Sequence, residues 1–292
     1  MSEPKVHWMV TCEHGGNQVP PDYQSLFASK HAAAMLRSHR GYDPGAWDAS
    51  LQIIDILRER NSTPTRKGTG HENRPRRNVE TRLFNDSGFW MGFGGAWIAS
   101  QTTRLLVDLN RSPDASSVFS AFSIELAPEQ RRRLLHRWHA PYRESVLKQL
   151  AARIRAGGRV IHLSIHTFTP RINGHWRPID VGLLFDPSRY GEASLCDRWR
   201  ETLARSMPRL RVMANQPYAG TDDGLTTWLR TKFTSNHYLG IEVEISNRYF
   251  KRGSEVQVAI VKTILRGLLS QPESCLLYTS DAADDRRGGW VW

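Results

Sequence analysis

Two periodicities alternate along this chain. Short runs of branched apolar residues predict strands, and longer stretches with apolar positions three to four apart predict helices. The strongest strand signal runs from Arg159 to Pro170, after a Gly157-Gly158 turn. Alternation places His162, Ser164, His166 and Phe168 on one face and Leu163 and Ile165 on the other. Pro170 cannot donate to a sheet ladder, so the strand ends there, with His166 near its carboxyl end. Further strands are expected at His7–Cys12, Thr103–Arg111, Arg177–Asp186, Val212–Asn215 and Leu239–Ile245. The last alternates Ile241, Val243 and Ile245 with Glu242 and Glu244.

Helices are expected between these strands. Ala32–Ser38 is short. The next carries Ala46, Leu51, Ile54 and Leu57 on one stripe, with Asp43 as N-cap and Pro44 at its first position. A long helical region from Leu126 to Ala156 is split or kinked by Pro141. Glu192–Met207, Thr226–Phe233 and Ser254–Leu269 complete the series. Strands and helices in alternation imply an α/β fold of three layers, α/β/α, with a mixed, mostly parallel central sheet. One domain is expected over residues 1–274. About 61–97, basic at first and then rich in Gly and aromatics, reads as an irregular insertion. Residues 275–292 resemble the translation of an adapter oligonucleotide and read as a non-native tail, which discounts Cys275.

Composition changes this picture little. The 292 residues are 39% hydrophobic and 24% charged, ordinary for a globular protein. The net charge of +11 could signal an anionic partner. No zinc-finger spacing, RNA-binding aromatic motif or sustained basic amphipathic helix accompanies it, so solvated arginine-rich helix faces are the preferred explanation over nucleic acid. No apolar run approaches the ~20 residues needed to cross a bilayer, and the N-terminus lacks a signal layout, so a cytoplasmic protein without a membrane partner is expected. Three cysteines fit a reducing compartment.

The candidate chemistry lies at strand ends and adjoining loops. His14 follows the first strand, Asp43 precedes a helix, Asn110 and Arg111 end the second strand, and His166 and Glu244 end two more. In open α/β sheets ligands bind beyond the carboxyl ends of the strands. Two imidazoles and a carboxylate suffice for a catalytic zinc that keeps a position for water. A further carboxylate can act as general base, and an Arg fork suits a substrate carboxylate. No Gly-x-Ser-x-Gly elbow or P-loop directs the reading elsewhere.

These pieces resemble the N-formylglutamate amidohydrolase family. The resemblance is carried by Cys12-Glu-His-Gly-Gly-Asn17, Tyr42-Asp-Pro-Gly-Ala46, Leu105-Leu-Val-Asp-Leu-Asn-Arg-Ser112, Ser164-Ile-His-Thr-Phe-Thr-Pro170, Asp180-Val-Gly-Leu-Leu-Phe-Asp-Pro187, Asn215-Gln-Pro-Tyr218 and Gly240-Ile-Glu-Val-Glu-Ile245, over about residues 7–270. It implies a fold like that of the zinc carboxypeptidases and aspartoacylases. It also implies metal-dependent hydrolysis of an N-acyl amino acid, typically N-formyl-L-glutamate to formate and glutamate. By resemblance His14 and His166 hold Zn2+, with Asp43 as third ligand, because the wider relatives' His-x-x-Glu pair finds Asn17 here. Glu244 is the general base, and Glu242 is assigned to the opposite face as a control. Asn110 and Arg111 hold the α-carboxylate of a small-molecule substrate, and Asp222 and Thr226 line the pocket. Thr65–Trp97 is the segment without a family counterpart. The alternatives are another N-acyl amino acid deacylase or carboxypeptidase, and a non-enzymatic basic nucleic-acid-binding protein. Oligomeric state is left open.

Overall fold

The structure, a computed structural model, describes residues 5–61, 83–84, 88–250 and 255–270. The tail expected at 275–292 and most of the basic part of the insertion lie outside the described residues.

Seven helices and ten strands are described: β1 (Val6–Cys12), α1 (Lys30–Leu36), α2 (Ala46–Asn61), β2 (Leu83–Phe84), β3 (Phe89–Gly92), β4 (Trp97–Ser100), α3 (Pro128–Leu134), α4 (Ala140–Arg155), β5 (Arg159–Phe168), β6 (Arg171–Ile172), β7 (His175–Trp176), β8 (Val181–Leu184), α5 (Tyr190–Ser206), β9 (Val212–Ala214), α6 (Leu225–Arg230), β10 (Tyr238–Ser246) and α7 (Glu255–Leu269). Eight strands form one sheet in the order β2-β3-β4-β1-β5-β10-β8-β9. Its centre, β4-β1-β5-β10, is parallel; β3 and β8 pair antiparallel to it. The expected mixed sheet with helices on both faces is thus what forms. No described helix is long and apolar enough to cross a membrane.

Alternation explains how the layers assemble. Val10 and Cys12 of β1, Ile161, Leu163 and Ile165 of β5, and Leu239, Ile241, Val243 and Ile245 of β10 share one face. They pack under Ala49 and Ile53 of α2, Leu195 and Trp199 of α5, and Ile264 and Leu268 of α7. Each Val, Leu or Ile among them, fully buried, contributes roughly 1.5–3 kcal/mol. Tyr142, Val146 and Leu150 of α4 and Leu225 and Leu229 of α6 cover the other face. Here the centre of the sheet is polar. Thr11, His162, Ser164 and Glu244 are buried on it, together with Glu13 just past β1. Register places Thr11 opposite Ser164 and Glu244 opposite His166, so adjacent strands form one polar seam.

Three expectations are corrected. Thr103–Arg111 is not a strand. Leu105, Leu106, Val107 and Leu109 are all buried, which gives the run its strand-like pattern, but the backbone turns. The Thr103 hydroxyl accepts from Leu105 N at 3.3 Å, and the Asp108 carboxylate accepts from Asn110 N at 2.9 Å, so local side chains take donors a ladder needs. The insertion is not irregular throughout, because β3 and β4 are strands of the main sheet and Trp97, Ile98 and Ala99 lie in the core. Asp43 is not an N-cap: α2 begins at Ala46, and the Asp43 carboxylate turns to other partners. The split in the long helical region falls at a π-turn, Leu135–His139, ahead of Pro141.

Candidate metal centre and substrate cleft

The polar seam emerges at the carboxyl ends of β1, β5 and β10, and the site is built there. His14 lies in the turn after β1. Gly15 and Gly16 let that turn press against the chain after β4: a Cβ at Gly15 would sit 2.8 Å from Ser100 O, and one at Gly16 would sit 2.7 Å from Gln101 O. Asp43 enters from the loop before α2. Its backbone N donates to His14 O at 2.9 Å, which ties the two loops together.

The expected trio converges. His166 Nδ1 lies 2.9 Å and His14 Nδ1 3.5 Å from Asp43 Oδ2. A ligand atom from each residue lies within 4.8 Å of the others, and all three residues are buried. Each imidazole has a carboxylate behind it. His14 Nε2 is 2.6 Å from Asp108 Oδ1, and His166 Nε2 is 3.2 Å from Glu13 Oε2. Such a backing carboxylate aims the other ring nitrogen at a metal and raises its basicity. Arg104 pairs with the remaining oxygen of Asp43. Asn17, at the position where a glutamate ligand could stand, instead donates to Leu36 O at 3.0 Å.

The electrostatics fit a cation. Burial alone would raise the Asp43 and Glu13 carboxyls, but Arg104 and the two histidines hold Asp43 well below its usual range. His166 and nearby hydroxyls hold Glu13 at about 2. Asp108 is likewise lowered, by His14 and Arg104 against the effect of burial. Burial lowers His166 less than the bonds to Asp43 and Glu13 raise it, and the ring is pushed well above its ordinary value. Three lowered carboxylates therefore gather around Arg104 and the two imidazoles, a place where a divalent ion could stand in for the His166 proton. Two buried atoms without hydrogen-bond partners, His14 Nδ1 and Glu244 Oε2, belong to the same group of residues. At Glu244 burial outweighs the opposing pull of His166 and Arg104 and raises the carboxyl to about 7, with Asp43 and Glu242 adding to the rise.

The site opens into a cleft of about 550 Å³. Arg104, Arg111, Arg177 and Arg40 give it positive charge, and Phe119 and Phe122 give it an apolar wall. Arg111 donates to Asn110 O at 3.3 Å and to the backbone carbonyl of Asp223. The guanidinium of Arg177 is held on Thr169 O, 5.0 Å from the centre of the Phe168 ring. Asp222 lines the cleft as expected. Thr226 does not; it is buried and donates to Glu242 Oε1 at 2.7 Å. Asn110 lines the cleft as well, its side chain accepting from Leu225 N at 2.6 Å and facing His166 Nε2 at 3.4 Å. Glu242 does not point away from Glu244. Residues two apart on a strand share a face, and both line the cleft.

Glu13, Arg104 and Asp108 escaped the sequence reading as site residues. Their partners lie 153, 61 and 94 positions away, a distance no local pattern spans. The one available signal was that buried carboxylates follow or precede candidate ligands in two of the quoted motifs.

Residues 81–250 match the family model for N-formylglutamate amidohydrolase. The match begins within the segment expected to lack a family counterpart and stops short of the expected 7–270. No curated protein sequence matches the chain. Solved structures share its fold, two of them as follows. A gene product of Agrobacterium tumefaciens superposes with a TM-score of 0.64 at 23% identity, covering 90% of each chain. The N-formylglutamate amidohydrolase of Ralstonia eutropha superposes with a TM-score of 0.59 at 16% identity, covering 91% of this chain and 92% of its own.

Proposed function

The chain belongs to the N-formylglutamate amidohydrolase family, and from that premise we propose that it hydrolyses the amide of an N-acyl amino acid, N-formyl-L-glutamate first among them, to formate and glutamate. The observation that carries this reading is the convergence of His14 Nδ1, His166 Nδ1 and Asp43 Oδ2 beside the unpartnered Glu244 Oε2. Two imidazoles and one carboxylate are a donor set suited to zinc. When bound, the ion would polarise the amide carbonyl and acidify water.

The chain's own residues do the rest. Arg111 in the cleft lining receives the α-carboxylate, and Arg177, also in the lining, receives the side-chain carboxylate. Asn110 keeps its amide on Leu225 N and so fixes the segment that carries Arg111. Glu244 takes a proton from the attacking water as oxygen adds to the formyl carbon. It returns that proton to the nitrogen as the C–N bond breaks, which releases glutamate as the amine. A base held at about 7 is well matched to both transfers. Glu242, anchored by Thr226, keeps a second carboxylate close and helps hold Glu244 up.

A second reading is favoured by the apolar wall of Phe119 and Phe122, which could take an acyl group larger than formyl. Metal analysis and kcat/KM over a panel of N-formyl, N-acetyl and longer N-acyl derivatives of glutamate, aspartate and leucine separate the two. Preference for N-formylglutamate supports the first reading, and a higher kcat/KM for long acyl chains replaces it with the second. Glu244→Gln should lower kcat by roughly 10²–10⁴-fold with zinc retained. Full activity in that variant would remove Glu244 from the mechanism.

A further inference from the structure

The carboxylate of Glu13 has no place in the steps above, yet it is completely buried at the end of the polar seam. Its neighbours converge on it. Tyr142 donates to Oε1 at 2.9 Å, and Ser164 donates to Oε2 at 2.7 Å. His166 Nε2 lies 3.2 Å from Oε2 and 3.0 Å from the Ser164 hydroxyl.

Counting protons gives this network a direction. Each hydroxyl has one hydrogen. Ser164 spends its hydrogen on Glu13, so its oxygen is free to accept from His166 Nε2–H. Farther along the seam, Thr11 and Tyr238 meet His162 at Nε2 and Nδ1, each at 2.8 Å. The bonds from Tyr142, Ser164 and His166 then all run toward Glu13, the pattern of an ionised acceptor. Asn110 Nδ2 opposes this arrangement, because as a donor it would ask for a lone pair on His166 Nε2. At 3.4 Å from that nitrogen, against two closer acceptors, it loses.

We propose that Glu13 is a positioning residue that makes His166 a metal ligand: as the terminal acceptor of the seam it fixes the His166 proton on Nε2 and leaves Nδ1 to face Asp43 and the ion. This rests on the metal-site reading given above. The isosteric Glu13→Gln replaces an acceptor with an amide that can donate toward His166 Nε2, which favours the opposite tautomer. Ser164→Ala removes only the relay and leaves the carboxylate.

The test measures Zn2+ affinity by chelator competition and the visible spectrum of the Co2+-loaded protein, in wild type, Glu13→Gln, Glu13→Asp and Ser164→Ala. Zinc binding should weaken roughly 10–100-fold in Glu13→Gln, with a changed cobalt spectrum, less in Ser164→Ala, and with partial recovery in Glu13→Asp. Wild-type affinity and an unchanged spectrum in Glu13→Gln overturn the inference. Should the Gln variant not fold, histidine-selective ¹⁵N NMR of the zinc-loaded wild type decides. A protonated Nε2 on His166 supports the inference, and a protonated Nδ1 overturns it. Failure of the wild type itself to bind zinc overturns the metal-site reading, and this one with it, and so is distinguishable from failure at Glu13 alone.

Discussion

His162 and His166 lie four residues apart on one strand face, and both are buried, yet they occupy two kinds of interior. His162 has neutral partners on both ring nitrogens, Thr11 and Tyr238. His166 has carboxylates, Asp43 on one side and Glu13 on the other. Burial lowers both, and at His162 it prevails, taking the ring to about 4. At His166 the bonds to the two carboxylates overcome it. The identity of the neighbours, not depth in the sheet, therefore separates a packed histidine from one suited to bind a cation. The seam follows the same rule. Below His166 its polar groups are paired, as they must be when each unmet bond costs about 1–3 kcal/mol. Two atoms without hydrogen-bond partners, His14 Nδ1 and Glu244 Oε2, appear where the seam reaches the cleft.

The sharpest way to break this comparison is to delete each ring. His166→Ala should lose bound zinc and essentially all hydrolysis. His162→Ala should keep zinc and remain within a few-fold of wild-type kcat when folded, while losing about 2–4 kcal/mol of stability to the cavity and the unpaired hydroxyls. Metal analysis and urea unfolding of the two variants check this, and loss of zinc in His162→Ala would collapse the distinction.

A smaller effect separates the two by pH in protein stripped of metal. The His162 value is depressed in the folded state, so its contribution is complete above about 6.5 and is lost as pH falls through about 4. That amounts to about 3 kcal/mol. The His166 value is raised, so its contribution is complete below the unfolded value and is lost as pH climbs through the folded one. In urea titrations with chelator present, the gap between wild type and His162→Asn should therefore narrow toward pH 4. The gap to His166→Asn should narrow toward alkaline pH. Parallel trends in the two variants would contradict the assignment of neighbours.

The smallest effect comes from one hydroxyl. Tyr238→Phe leaves His162 Nδ1 without its donor and should cost about 1–2 kcal/mol of stability, with zinc affinity unchanged.

The contrast also explains what could be read from the chain. His14, His166, Glu244 and Arg111 were legible because they sit at the ends of apolar runs or in the turns that follow them, and alternation fixes their faces. Alternation also put Glu242 beside Glu244, and assigning it elsewhere ignored the strand period. Glu13 and Asp108 were legible as letters but not as partners, since their histidines are brought near only by the stacking of β1, β5 and the turn after Thr103. The sheet's centre was legible for the same reason as its core, continuous branched apolar runs. Its β3 and β4 edge was hidden by the Gly and aromatic content of Phe89–Trp97, and the buried turn at Leu105–Leu109 imitated a strand because all its side chains point into packed surroundings.

Strand β10 has a consequence for the order of events during synthesis. It follows β5 and β8 in the chain, yet it lies between them, paired with β5 on one side and β8 on the other. Until it inserts, the nascent chain has an open edge along β5, where Ile161, Leu163 and Ile165 await their neighbours. The same insertion delivers Glu244. A growing chain thus gains the carboxylate proposed as its base only when the open edge along β5 closes, and the arrival of Glu244 marks a joined sheet.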